Sequence, residues 1–213
     1  MDKIKRRAAE IVARLRQKYP DALCQLEYGK DYELLFSTRL SAQCTDARVN
    51  LVTETLYQTY PTLESFAQAD RTQLENAVRS CGFYRHKARD IIACAQTLLR
   101  DHGGRVPGTM EALLALPGVG RKTANLILGD LFGQPAVVAD THCIRISGLL
   151  GLCGDKDPYK VEMRLRELIA PEEQNNFCHR LVLFGRDVCI ARRPRCGACV
   201  LQDLCPGQTA DPA

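Results

Sequence analysis

Tryptophan is absent from the 213 residues, and aromatic side chains as a whole make up only 6% of them. Runs in which Val, Ile or Thr alternate with polar residues are also scarce, which excludes an all-β fold. No apolar stretch approaches the ~18 residues that a membrane-spanning helix needs, so no membrane partner is expected. The opening "MDKIKRRAAEIVARLRQKYP" lacks the apolar centre of a secretory signal. There is no repeat of fixed period, no low-complexity segment and no long linker. A strong charge of either sign is missing too: 29 Lys and Arg against 25 Asp and Glu leave a net charge of +4, which permits nucleic-acid binding without demanding it. Cysteine, by contrast, is plentiful. The count of 11 is odd, and with no secretory signal a disulfide framework is not expected; a reducing cytoplasm is.

Hydrophobic residues reach 46%, enough for a full core, and their spacing is helical almost throughout. The N-terminal segment predicts a basic amphipathic helix with Ile4, Ile11, Val12 and Leu15 on one side, read as a solvated surface helix. "DYELLFSTRLSAQ" predicts a helix capped by Asp31. "DARVNLVTETLYQTYP" predicts one that starts at Thr45/Asp46 and stops at Pro61. "YRHKARDIIACAQTLLRDHGG" predicts a longer one closed by Gly103 and Gly104. Short loops between short and medium helices indicate a compact all-α protein.

"LLALPGVGRKTANLIL" is more specific. Its apolar residues fall at Leu113, Leu116, Val119, Ala124, Ile127 and Leu128, and Gly118 and Gly120 flank Val119. Glycines suit a sharp turn that must approach another molecule closely. The amides of this turn and of the next helix's first turn have no intrahelical partner, and a phosphate would satisfy them with help from the helix dipole. The pattern resembles the helix–hairpin–helix motif of DNA-binding proteins that lack sequence preference, which grip the backbone and not the base edges. Lys122 follows directly, at the end of the dipole unfavourable to a cation, and a neutral amine is a nucleophile. Asp140, in "AVVADTHC", ends an apolar run before the next helix. Read alone, Lys122 is a lysine contacting DNA at the surface, and Asp140 is a helix cap.

The second specific stretch is "CIARRPRCGACVLQDLC". Cys189, Cys196, Cys199 and Cys205 are spaced C-x6-C-x2-C-x5-C. Zinc usually takes paired C-x2-C knuckles, of which there is one here; an iron–sulfur cubane suits the longer gaps. Spacing alone leaves both open. Arg192, Arg193 and Arg195 have no acidic residue near them between Cys189 and Cys199. They read as a basic knob for phosphates or as a plain solvated charge run. The remaining cysteines, at 24, 44, 81, 94, 143, 153 and 178, are for the most part expected to be small buried apolar residues.

Taken together, "SAQCTD" (41–46), "GFYRHKA" (82–88), "LPGVGRKTA" (116–124), "VVADTH" (137–142) and the cysteine loop resemble the endonuclease III family, the iron–sulfur DNA glycosylase/lyases of base excision repair. The resemblance implies an all-α fold in two discontinuous domains. One is a six-helix barrel over residues 22–134 that holds the hairpin. The other is an iron–sulfur cluster domain from residues 1–21 and 135–213, with one 4Fe–4S cluster on the four cysteines. Double-stranded DNA with a damaged pyrimidine or an abasic site would bind across the groove between them, with Lys122 and Asp140 facing each other at its mouth. Lys122 would attack the sugar and expel the base, and the resulting Schiff base would allow β-elimination of the 3′ phosphate. Asp140 would stabilise positive charge on the sugar. Gln43 would face the orphaned base, Phe83 would wedge into the helix, and Ser41 and His142 would line the pocket. Gly118, Gly120, Arg192 and Arg193 would hold the backbone. A bacterial-type, cytoplasmic, nucleoid-associated monomer is implied.

The sequence departs from the family pattern at Phe83, where leucine is frequent, at Cys44, where alanine is frequent and no consequence is expected, and at Phe184, where some members have histidine. The sister adenine glycosylases lack a lysine at position 122 and carry a further domain; thymine-mismatch glycosylases typically have tyrosine there. A DNA-binding module without catalysis would not need Lys122 together with Asp140, and an electron carrier would not need the hairpin.

Overall fold

The computed structural model describes residues 3–207, so residues 1–2 and 208–213 of the expected cluster domain lie outside the described residues. Among the described residues the chain is helical, with no strand. In chain order the helices are α1 (Lys3–Lys18), α2 (Asp31–Leu40), α3 (Asp46–Thr59), α4 (Leu63–Ala67), α5 (Arg71–Ala77), α6 (Tyr84–His102), α7 (Met110–Leu114), α8 (Arg121–Phe132), α9 (Thr141–Leu149), α10 (Pro158–Leu168) and α11 (Gln174–Asp187). They divide into two compact units. One is Cys24–Phe132; the other consists of the described residues of Met1–Leu23 and Gly133–Ala213.

The Cys24–Phe132 unit starts its helices with side-chain caps. Thr45 accepts from the Arg48 amide at 3.3 Å, Asp70 from the Gln73 amide at 2.8 Å and Thr109 from the Ala112 amide at 3.3 Å, each cap contributing about 1 kcal/mol. Helix α2 differs from the expected Asp31 cap. Asp31 is already helical, Lys30 occupies the cap position, and Glu33 reaches back to bind the amides of Gly29 at 2.7 Å and Lys30 at 3.1 Å. The longer carboxylate at the third helical position does from inside the helix what an Asp cap does from outside. Helix α6 packs on α4 and α5, and α8 packs on α2 and α7. Phe66 is fully buried, with its ring 5.0 Å from that of Phe36 and 5.1 Å from that of Tyr60, so the few aromatic residues are concentrated where they stabilise most. Gly103 and Gly104 close α6 with φ of +58° and +76°, a conformation that glycine adopts without penalty.

In the other unit α1 packs against α10 and α11. It is not a solvated helix: Ala8, Ile11 and Leu15 are 0% exposed and Val12 is 8% exposed. Its cations sit on the remaining faces, so charge on one side and a complete core stripe on the other coexist. Arg7 donates to the Gly151 carbonyl at 2.7 Å, and buried Arg180 pairs with Glu173 at 2.6 Å. Helix α10 opens with Asp157 accepting from the Lys160 amide at 2.9 Å and with Pro158 as its first residue, the position at which proline costs nothing.

Candidate functional site

The hairpin is the turn between α7 and α8. The Val119 amide donates to the Leu116 carbonyl at 3.2 Å, and the Ala124 amide to the Gly120 carbonyl at 2.9 Å. Gly118 has φ +75°, and a Cβ there would meet Asp90 Cβ at 2.8 Å and Arg39 Nε at 3.0 Å. The turn is thus seated on an ion pair. Asp90 Oδ2 accepts from Arg39 Nε at 3.1 Å and Nη2 at 2.6 Å; Oδ1 accepts from Arg89 Nε at 3.1 Å and Nη2 at 2.9 Å. Asp90 is buried and Arg39 only half-buried, so removing Arg39 would leave the Asp90 carboxylate with the exposed Arg89 as its remaining partner. Gly120 is different, since a Cβ there would meet nothing within 4 Å. Lys122 is exposed, one residue inside α8. Arg39 and Asp90 are absent from the residues the sequence singles out, because a buried pair 51 residues apart has no local signature.

Gln43 and Phe83 share an unusual backbone. Their φ values are +55° and +47°, and among the described residues no other non-glycine residue has a positive φ. For side chains of this size the left-handed conformation costs about 1–3 kcal/mol and persists only where the surroundings enforce it. Both are exposed, Phe83 to 62%, so that ring belongs to no core. Ser41, half-buried at the end of α2, turns its hydroxyl to the Thr38 carbonyl at 2.9 Å. These positions all belong to the Cys24–Phe132 unit.

In the other unit, Ala136–Ala139 form a buried run that delivers Asp140 to the start of α9. Asp140 is half-buried and is the helix cap, Oδ1 accepting from the Cys143 amide at 2.7 Å. His142 lies in the first turn of α9 with its ring against Gly185 of α11, where there is no room for a Cβ. The buried cysteines are Cys81, Cys94, Cys143, Cys153 and Cys178; Cys24 and Cys44 are only half-buried.

The cysteine loop begins where α11 ends. Arg145 of α9 donates to the Cys189 carbonyl at 2.7 Å and to its sulfur at 3.4 Å. The Arg195 amide returns to the Val188 carbonyl at 2.9 Å, and the Gly207 amide reaches the Leu149 carbonyl at 3.1 Å. Arg14 of α1 binds the Val200 carbonyl at 3.0 Å and Asp203 Oδ2 at 3.1 Å. Arg192 and Arg193 are exposed. Arg195 is not without an acidic neighbour, since Asp187, just outside the loop, lies 4.0 Å away.

All four cysteines border one cavity of about 230 Å³, lined also by apolar side chains such as Ile146, Leu149 and Phe184 and by Arg145, Arg195 and Gln202. Among the described residues, no three Cys, His, Asp or Glu side chains stand close enough together to hold one bare ion. Four thiols around one cavity are a donor set that fits an iron–sulfur cluster, held by thiolates around its edge. Burial pushes the Cys199 and Cys205 thiols above their ordinary range, and the neighbouring thiolates push the same way. A cationic cluster core held by these thiolates would offset that repulsion and favour the ionised sulfurs.

Comparison with known proteins places this geometry. Residues 36–171 match the HhH-GPD superfamily base excision DNA repair proteins, and residues 189–205 match the iron–sulfur binding domain of endonuclease III. Endonuclease III of Synechocystis sp. is 45% identical over 207 residues, covering 97% of this chain and 94% of that one. Endonuclease III of Escherichia coli is 40% identical over 205 residues, covering 96% of each. The solved structure of a trapped endonuclease III–DNA covalent intermediate superimposes with a TM-score of 0.92 at 40% identity, covering 97% of both chains. A thermostable thymine-DNA glycosylase shares the fold, with a TM-score of 0.87 at 20% identity. The group held by the cysteine loop is accordingly an iron–sulfur cluster. From the hairpin seated on Arg39 and Asp90 to the thiol-lined cavity, this chain belongs to the endonuclease III family, within the HhH-GPD superfamily of base excision DNA repair proteins.

Proposed function

We infer that Lys122 is the nucleophile, and Asp140 the stabiliser of positive charge, in a bifunctional DNA glycosylase/AP lyase. The activity class and the DNA partner follow from the family and from the likeness to a trapped protein–DNA covalent intermediate. The substrate is duplex DNA carrying an oxidised pyrimidine or an abasic site. A base inside the stack is out of reach, so the nucleotide is flipped out first; this is the general behaviour of glycosylases. Lys122 Nζ attacks C1′ of the sugar, and the C1′–N bond breaks as the base leaves with its electron pair and takes up a proton. The C1′–nitrogen adduct opens to a Schiff base. Loss of a proton from C2′ then expels the 3′ phosphate, and water releases the lysine. Asp140 stabilises the positive charge that develops on the sugar and assists the proton transfers.

Gln43 takes the place left by the flipped nucleotide, and Phe83 fills the unstacked step. Gly118 and Gly120 place backbone amides on one phosphate, and Arg192 and Arg193 meet others. Ser41 and His142 border the pocket. The cluster is a single 4Fe–4S group on Cys189, Cys196, Cys199 and Cys205, and its contribution when bound is to fold the arginine loop. The protein acts as a monomer in a reducing cytoplasm.

The observation that carries the nucleophile assignment, beside the family resemblance, is the exposed lysine in the first turn of the helix that follows the hairpin. Borohydride trapping on damaged duplex tests it. Wild-type protein forms a covalent adduct; Lys122→Gln binds abasic DNA, keeps its melting temperature and forms none. Asp140→Asn binds similarly and turns over on the order of 100-fold more slowly, because stabilisation confined to the transition state is what it loses. Robust trapping by Lys122→Gln overturns the assignment.

A further inference from the structure

Lys87 lies in the first turn of α6 and is 1% exposed. Among the described residues it has no carboxylate partner. Its ammonium donates instead to three backbone carbonyls, those of Leu40, Ala42 and Cys81, each at 2.8 Å. An ammonium has three protons and no lone pair, so its donor capacity is fully used. The carbonyls come from two separate segments. Leu40 ends α2, where the helix dipole is negative, and Ala42 directly precedes Gln43. Cys81 ends a short 3-10 turn two residues before Phe83. One buried cation therefore grips the backbone immediately upstream of each of the two strained residues. Burial lowers the Lys87 pKa, while the Cys81 and Cys44 thiols work the other way.

We propose that Lys87 is a positioning residue for base flipping: it ties the Gln43 and Phe83 loops together through Leu40, Ala42 and Cys81, so that both side chains enter the duplex as one pre-formed unit. This rests on the reading of Gln43 and Phe83 as the inserted residues. The alternative is a buried lysine that supports the fold and nothing else. The two differ in what is lost. A fold tie, once cut, lowers every activity with the folded fraction; a positioning tie, once cut, spares any reaction that needs no base to be expelled from the stack.

Lys87→Met removes all three donors at nearly the same volume, and Lys87→Arg restores charge and donors. Both are measured as full-length protein with cluster bound, in single turnover, on duplex with an oxidised pyrimidine and on duplex with a preformed abasic site. Lys87→Met is expected to slow base excision roughly 10–100-fold and abasic-site cleavage less than about 3-fold, with Lys87→Arg recovering most of the excision rate. Phe83→Ala introduced into the Lys87→Met background should add less than about 3-fold, because the unit it belongs to is already broken. Equal losses on both substrates, in step with thermal melts, overturn the proposal. If Lys87→Met does not fold, Lys87→Gln, which lacks the charge, is read by the same ratio between substrates. The underlying reading is tested separately: if Gln43→Ala and Phe83→Ala leave excision unchanged, the inserted-residue assignment fails. If they slow it and Lys87→Met does not, only the role of Lys87 fails.

Discussion

The hairpin and the cysteine loop are both assigned to phosphate, yet they are held in opposite ways. The hairpin lies between two helices, rests on the ion pair of buried Asp90 with half-buried Arg39 and closes its turn with its own backbone bonds. Nothing outside the polypeptide is required for it. The cysteine loop has two short 3-10 turns closed by local backbone bonds, such as the Cys199 amide to the Cys196 carbonyl at 3.1 Å, and a cavity bordered by four thiols. Under the proposed assignment of its thiols to a 4Fe–4S cluster, its order would depend on the group they hold as well as on its contacts with Arg14 and Arg145. A grip made by packing is present whenever the chain is folded; a grip made by a cofactor can be taken away while the chain stays folded.

Removing the cluster breaks the comparison most forcefully. The purified protein should carry about four irons per chain and absorb visible light. Chelation after oxidation, or Cys199→Ser, should remove the absorption and weaken duplex binding on the order of 100-fold at physiological salt, because the arginine loop is no longer ordered. Hydrogen exchange should show the hairpin amides still protected and the 189–205 segment open. Equal loss of protection in both would mean that the hairpin also depends on the cluster.

The two glycines of the hairpin sharpen the comparison next. Gly118→Ala forces a Cβ against Asp90 and Arg39 at a positive φ and should destabilise the protein by about 2–4 kcal/mol. Gly120→Ala meets open space and should leave stability within about 0.5 kcal/mol, while still weakening DNA binding if a phosphate approaches that backbone. Thermal melts and equilibrium binding on the same two variants separate a glycine needed by the protein from one needed by its ligand. A stable Gly118→Ala would show that the seat yields.

The smallest effect belongs to the loop's charge. Replacing Arg192 and Arg193 together by Ala should flatten the slope of log K against log salt by up to about 1.8, at about 0.9 for each phosphate no longer neutralised. All duplexes should weaken alike, damaged or not. An unchanged slope would place both guanidinium groups in solvent and leave the phosphate grip to the hairpin.

Legibility in the sequence followed the range of the interactions. Helix starts at Thr45 and the double-glycine stop of α6 are local signals, and they are where the spacing predicts them. The hairpin and the four cysteines are legible for the same reason. What escapes depends on distant partners. Lys87 sits in "GFYRHKAR" as one cation among several, and nothing local says that it turns inward to carbonyls 45 and 47 residues upstream. Asp90 looks like an ordinary exposed helix residue until Arg39 arrives. The N-terminal helix reads as solvated because its charges are obvious and its partners, α10 and α11, lie some 150 residues further along. The roles of Lys122 and Asp140 rest on resemblance, since in isolation one is an exposed lysine and the other a helix cap.

Lys87 and Asp90 stand three residues apart on α6, one holding the loops of Gln43 and Phe83, the other seating the hairpin. That interval is a fixed dimension. Inserting or deleting a single residue between them would rotate one about the helix axis by roughly 100° relative to the other, and no loop could absorb the error. Point substitutions on the outer face of this helix are free to accumulate as lineages diverge, but its length between these two positions is not, so gaps in descendants of this sequence should fall elsewhere, in connections such as 154–157.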